Sequence, residues 1–298
     1  MACMATALGE FPRYAVFREY RHDVMKSMSD TVMHRSWRPA PLVSGSAALH
    51  LAAIAATVVR PHLWPWTVGA VVINHLVLTG TGLWPRSTLL GPNWTRLPDN
   101  DATHGAVAIT IDDGPDPDVT PGVLSLLDEY GAKATFFCVG EMVQRYPDLA
   151  QEIVRRGHAI ENHSQRHLHH FSLLGTRGIT DEVGRAQESI AAIVGTAPRF
   201  FRAPAGLRNP LLDLVLTRFG LQLASWTRRG FDTVTRDSNI VFDKLTRHLG
   251  GGDILLLHDG HASRSRSGQP VILEVLPRLL TAMSAAKLRP ITLRAALT

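Results

Sequence analysis

Two long apolar runs, 41–59 and 64–84, dominate the first hundred positions, separated by little more than Arg60 and the turn-prone Pro61-His62-Leu63. Each is about twenty residues, the length an α-helix needs to cross roughly 30 Å of hydrocarbon. Neither carries a formally charged side chain, and Trp37, Trp64, Trp66, Trp84 and Trp94, five of the six tryptophans, sit near their ends as interfacial aromatics do. The pattern predicts a membrane-embedded helical hairpin. His50, Asn74 and His75 point instead to two helices buried against a soluble body. Before the runs, residues 1–40 scatter Arg13, Arg18, Arg21, Lys26, Arg35 and Arg38 through a polar stretch that lacks the apolar core and cleavage site of a removable signal peptide. That basic flank predicts a cytoplasmic N-terminus at the inner membrane. A hairpin spanning twice returns the rest of the chain to the cytoplasmic face, whereas a single crossing exports it. Residues 85–105, with Pro85, Gly91, Pro92 and Pro98, read as a linker to a second domain over 106–298.

From residue 106 the pattern changes to short apolar, β-branched runs alternating with amphipathic stretches. Strands are predicted at 106–111, 134–139, 158–162, 200–203, 221–226, 253–258 and 289–293. Helices are predicted after Thr120 as N-cap with Gly131 as stop, then at 148–156, 180–194, from Asn209-Pro210 to Gly220, at 239–249 and at 270–287. About seven β/α units in this space suit a small, incomplete barrel better than an open sheet. Composition agrees with a folded chain of one or two domains: 298 residues, 45% apolar and 19% charged. A net charge of +5 makes no case for nucleic acid. Cys3 and Cys138 cannot build a disulfide framework or a four-thiolate zinc site, and Cys138 lies in an apolar run and reads as a core thiol.

Four polar clusters fall at the C-terminal ends of predicted strands, where barrels of this kind place their chemistry. Asp112 and Asp113 end the first strand, so one could bind a metal while the other faces substrate; adjacent aspartates before Gly-Pro also serve as turns or helix caps. His163 and His167 are four residues apart, a spacing that brings two imidazoles to one ion or belongs to a solvated loop, and His169 and His170 read as surface. Arg202 precedes Ala-Pro-Ala-Gly206, where a guanidinium could orient a carboxylate or make an ordinary ion pair. His258 and Asp259 follow an apolar strand, with the imidazole open to either an acid or a structural role. Four independent turns at four strand ends are improbable, which favours a site.

Together Thr110-Ile-Asp112-Asp113-Gly114, His163-xxx-His167, Arg202-x-Pro204-x-Gly206, Asp232 and Leu256-x-His258-Asp259 resemble the NodB-type polysaccharide deacetylases, carbohydrate esterase family four, over residues 106–293. The resemblance implies a distorted (β/α) barrel and a divalent metal, most often zinc with cobalt, manganese or nickel as alternatives, held by Asp113, His163 and His167. It implies Asp112 as general base positioned by Arg202, His258 as general acid tuned by Asp232, and a substrate wall that includes Pro204, Gly206 and Leu256. One departure stands out: the family's aspartate-tryptophan pair is Asp232-Thr233 here, so Trp226 or Phe231 takes the wall position or the pocket is altered. Arg228 and Arg229 replace an acidic position and favour a substrate with phosphate. The expected partner is an N-acylated sugar or glycan, including a lipid-linked one, together with membrane lipid. Deacylation of peptidoglycan or a secreted amino-sugar polymer requires the barrel outside. O-acetyl ester hydrolysis on the same site and a non-catalytic glycan-binding or membrane scaffold are the alternatives.

Overall fold

A proline in the first turn and an unbroken apolar sequence set up two helices, α1 (Pro41–Val59) and α2 (Trp64–Gly82), joined by a tight turn at Pro61–Leu63. The computed structural model describes residues 36–297, so Cys3 and the basic positions 13–35 lie outside the described residues. The expectation of helices buried against a body fails: the most apolar stretch of each helix is 0% buried, and within the two helices only Thr81 and Gly82, at the exit, are covered. The polar residues that prompted it are used between the helices. Asn74 Nδ2 donates to Ser46 Oγ at 2.8 Å, the Nε2 atoms of His50 and His75 meet at 3.2 Å, and the Thr57 and Thr67 hydroxyls at 2.8 Å. These contacts form three rungs of an inward polar seam, while Leu51, Ile54, Val58, Ile73 and Leu76 point outward and are exposed.

The body is a run of parallel strands with helical crossovers. β1 (Ala106–Asp112) leads through α3 (Thr120–Glu129) to β2 (Thr135–Cys138), and α4 (Gly140–Arg145) and α5 (Pro147–Arg155) lead to β3 (Ala159–Asn162). α6 (Thr176–Val194), β4 (Phe200–Phe201), α7 (Leu212–Arg218), β5 (Gln222–Leu223), β6 (Arg228–Arg229), α8 (Ser238–Thr246), β7 (Ile254–His258), α9 (Val271–Ala285) and β8 (Arg289–Ile291) follow. The sheet order is β5-β4-β3-β2-β1-β7-β6, and β8 pairs with the first half of β1 while β2 pairs with the second. This is the incomplete barrel that the β/α alternation predicts. Residues 85–105 carry no strand of their own but lie against it: Trp94 N donates to Leu223 O at 2.9 Å and Leu97 N to Gly252 O at 2.8 Å, tying the β5 edge to the start of β7.

Strand periodicity sorts the side chains into two layers. Val107, Ile109 and Ile111, with Leu255 and Leu257, pack outward against Val123, Leu127, Leu276 and Leu279 of the helices. Ala106 and Ala108, with Ile254, Leu256 and Phe137, fill the interior. The same alternation carries Thr110 and Asp112 inward above that apolar floor, and His258 beside them, because Asp112 and His258 are register partners.

Several boundaries differ from the sequence expectation. Thr120 is the first helical residue rather than the N-cap, and its hydroxyl donates to Asp259 Oδ2 at 2.5 Å. α6 begins at Thr176, before its acidic turn, and α7 begins at Leu212, past the Asn209 side chain that accepts from Leu211 N at 2.9 Å. β4 and β5 shrink to two residues each.

Candidate active site

Asp112 is 3% exposed at the end of β1, and its Oδ1 accepts from Arg202 Nη1 at 2.6 Å. Arg202 is the largest fully buried side chain, and its other donors reach Thr110 Oγ1 at 2.8 Å, Ala224 O at 3.1 Å and Ser225 O at 2.7 Å. Its guanidinium lies 4.0 Å from the Phe137 ring centroid and 5.8 Å from that of Trp226. Four hydrogen bonds and two rings hold this cation rigidly, so the carboxylate it grips has one orientation. Thr110, the first residue of the motif that ends β1, joins the set by accepting from the same nitrogen as Asp112.

The backbone turns left-handed at Asp113, with φ of 77°, and sends its carboxylate away from that of Asp112. Asp113 Oδ1 lies 3.2 Å from His163 Nε2 and 3.2 Å from His167 Nε2, and the three ligand atoms fall within 4.8 Å of one another. His163 Nδ1 donates to Arg202 O at 2.8 Å, which fixes the tautomer and turns the Nε2 lone pair toward Asp113. Asp113 Oδ1 is buried with no hydrogen-bond partner. A buried carboxylate oxygen facing two imidazole nitrogens calls for a cation between them. A tetrahedral ion with bonds of about 2.0 Å separates its ligands by about 3.3 Å, and the observed spacing matches that edge. The residues therefore fit a metal.

Electrostatics point the same way. Burial works to raise the Asp113 pKa, yet His163 and His261 hold it well below the usual carboxylate range. Burial works against the charged form of His163, but Asp112 and Asp113 push its pKa up. His261, which sequence reasoning missed, places Nδ1 3.5 Å from Asp113 Oδ2 and stacks on the His167 ring at 6.5 Å. It was hidden as one of fourteen histidines with no distinctive spacing.

Across the interior, His258 Nδ1 donates to Asp232 Oδ1 at 2.8 Å, and His258 N donates to Asp232 Oδ2 at 2.7 Å. Asp232 is 0% exposed. Burial opposes the imidazolium, but the Asp232 charge prevails and raises the His258 pKa to about 9. Behind this pair Asp259 is fully buried, and burial lifts its pKa to about 7 despite bonds from Thr120 and Gly260.

The structure brings most of the remaining predicted residues to the same end of the barrel. Pro204 and Gly206 form a buried turn beyond Arg202, and a Cβ at Gly206, where φ is 75°, would meet Trp226 at 2.5 Å. Trp226 and Leu256 are buried in the interior layer. Arg229 lies over Trp226 at 5.4 Å and Phe231 at 4.9 Å, and its Nε is buried without a hydrogen-bond partner. Arg228 is not brought to the site. Its Nε donates to Asp253 Oδ2 at 2.6 Å and its terminal nitrogens to the carbonyls of Arg247 and His248, at the opposite end of β7. Neighbours on a strand point to opposite faces, which separates the two arginines.

The polysaccharide deacetylase family profile matches residues 99–224. A peptidoglycan-N-acetylglucosamine deacetylase of Bacillus cereus is 35% identical over 175 residues, covering 58% of this chain and 81% of the relative. The chain belongs to the polysaccharide deacetylase family. It is thereby a hydrolase acting on carbon–nitrogen bonds other than peptide bonds. A chitooligosaccharide deacetylase of Azorhizobium caulinodans, another polysaccharide deacetylase, is 33% identical over 158 residues, covering 53% of this chain and 75% of that one. Among solved structures, a family 4 carbohydrate esterase from Streptomyces lividans in complex with acetate matches with a TM-score of 0.57 and 29% identity, over 62% of this chain and 91% of the other. A family pseudoenzyme from Bacillus anthracis shares the fold at a TM-score of 0.61 and 21% identity, over 69% of each chain. Fold alone therefore does not carry activity in polysaccharide deacetylases, and the side chains must.

Proposed function

We propose that this chain removes an N-acyl group, acetyl or formyl, from an amino sugar in a polysaccharide, oligosaccharide or lipid-linked saccharide. The carrying observation is the buried Asp113 oxygen 3.2 Å from the Nε2 atoms of both His163 and His167, with no hydrogen-bond partner of its own and with the Asp112–Arg202 and His258–Asp232 pairs beside it. The named activities of the Bacillus cereus and Azorhizobium relatives support the substrate class. A divalent cation, zinc by the donor set, would be held by Asp113, His163 and His167, where it supplies water activation and polarises the acyl oxygen. Asp112, oriented by Arg202, takes the proton of the attacking water as a C–O bond forms at the acyl carbon. His258 gives its proton to the sugar nitrogen as the C–N bond breaks, leaving a free amine and a small carboxylate. Asp232 holds the imidazole in position and favours its protonated form. Pro204, Gly206, Trp226 and Leu256 wall the acyl group, and Arg229, with its free Nε, faces the sugar or its phosphate; Arg228 serves the fold.

Residues 41–84 form the membrane hairpin in this reading, 85–105 the connection and 106–298 the catalytic domain. The unburied apolar faces of α1 and α2 support it. The basic flank sets the body on the cytoplasmic face, and protease protection of residues 106–298 in sealed inverted vesicles would overturn that side.

The deciding experiment measures acetate and formate released from free and lipid-phosphate-linked N-acylated sugars by protein stripped of metal and then given zinc or cobalt. Metal-restored release is expected, and the panel selects the acyl group. No release from any member by protein carrying one metal ion per chain would overturn the reading.

Asp232→Asn is expected to shift the alkaline limb of the pH–rate profile downward. Removing the carboxylate charge destabilises the imidazolium, so His258 loses its proton at lower pH. An unmoved alkaline limb would separate His258 from the acid role.

A further inference from the structure

We infer that the mouth of the catalytic site docks onto the bilayer surface, so that the enzyme works on glycan headgroups of membrane-anchored amphiphiles. The inference rests on the hairpin reading above and adds the direction in which the site opens. The hairpin leaves beside the site. Arg208 N donates to Gly82 O at 3.2 Å, Ser225 Oγ donates to Pro85 O at 2.5 Å, and a Cβ on Gly206 would meet Pro85 at 2.8 Å and Trp226 at 2.5 Å. The end of α2 is thus fastened to the Arg202–Gly206 loop and to the Trp226 segment, two walls of the site.

The loops at this end present apolar side chains to solvent. Leu83 is 56% and Trp84 57% exposed at the hairpin exit, and Leu173 is 83% exposed in the loop that follows His167. Leu211 is 38% exposed, and its neighbour Asn209 donates to the carbonyls of Ser172 and Leu174, so these loops join into one rim. Phe231 at 43% and Val234 at 75% are exposed in the segment that follows β6, beside Asp232. All of these lie in segments that follow the C-terminal ends of β3, β4 and β6 or at the hairpin exit, the end where Asp112 and His258 open. Large apolar side chains gathered on one rim mark an interaction surface. The occupant is lipid, because the rim is continuous with the two helices long and apolar enough to cross a bilayer.

The test uses the full chain with Cys3→Ser, since Cys138 is buried. Single cysteines are introduced by Leu173→Cys, Leu211→Cys, Val234→Cys, Val72→Cys in the hairpin and Ala286→Cys at the opposite end of the barrel. Each is labelled with an environment-sensitive fluorophore and reconstituted into phosphatidylethanolamine–phosphatidylglycerol vesicles containing headgroup- or acyl-chain-spin-labelled lipid. Expected are acyl-chain quenching at 72, headgroup quenching at 173, 211 and 234, and none at 286. Quenching at 72 without quenching at the three rim positions overturns the docked mouth and leaves the anchor standing. No quenching at 72 overturns the hairpin reading and the inference with it.

Discussion

Asp112→Asn is expected to lower kcat on the order of a thousand-fold while the protein still binds one metal ion per chain. The asparagine oxygen can still accept from Arg202, whose three other hydrogen bonds to Thr110, Ala224 and Ser225 remain. What disappears is the capacity to take a proton. Asp112 Oδ2 stands 3.8 Å from His163 Nε2, outside the three-residue cluster, so metal content is expected to survive. The uncompensated Arg202 charge costs stability, about 3 kcal/mol if the pair behaves as other buried pairs do, and a melting curve shows whether the variant is folded at assay temperature. Retained turnover in a folded, metalled variant would remove Asp112 from the base role. Loss of metal together with turnover would move it into the ligand set.

His163→Ala is expected to lose both metal and activity. The substitution removes one of the three donors and also the Nδ1–H bond to Arg202 O that couples the β3 end to the β4 end. Changing a group one step behind a ligand already weakens binding 10- to 100-fold, so losing the ligand itself should cost more than about 100-fold in affinity. Metal content after dialysis, measured beside turnover, checks this. Full occupancy with no turnover would place the ion elsewhere.

The barrel and its strand-end chemistry were legible because β1 and β7 are largely apolar runs that stop at polar residues, Asp112 and His258, a signal carried by chain order alone. The elements that escaped are those with little local signature. α4 has six residues and no side-chain cap, and β6 consists of two arginines whose strand character comes only from pairing with Leu255 and Leu256. Arg228 and Arg229 are indistinguishable in sequence. They part company only when strand alternation and the Asp253 carboxylate send Arg228 the other way. His50, Asn74 and His75 misdirected for a related reason: periodicity reports that a face is polar but not whether its complement is a soluble body or the other arm of a hairpin. His261 needed the loop after β7 to fold back on Asp113, which no spacing encodes.

The two loops that carry Asp113 and Asp259 interlock like teeth. A Cβ on Gly114 would overlap the Asp259 carboxylate, and one on Gly260 would come within 2.5 Å of the Asp113 carbonyl oxygen. A side chain at either glycine would have to push the other loop away, so the two loops hold each other in place. A library meant to retune acyl or sugar preference should hold Gly114, Asp259 and Gly260 constant and spend its diversity on Arg229 and Phe231, which lie against one another at 4.9 Å with Phe231 43% exposed.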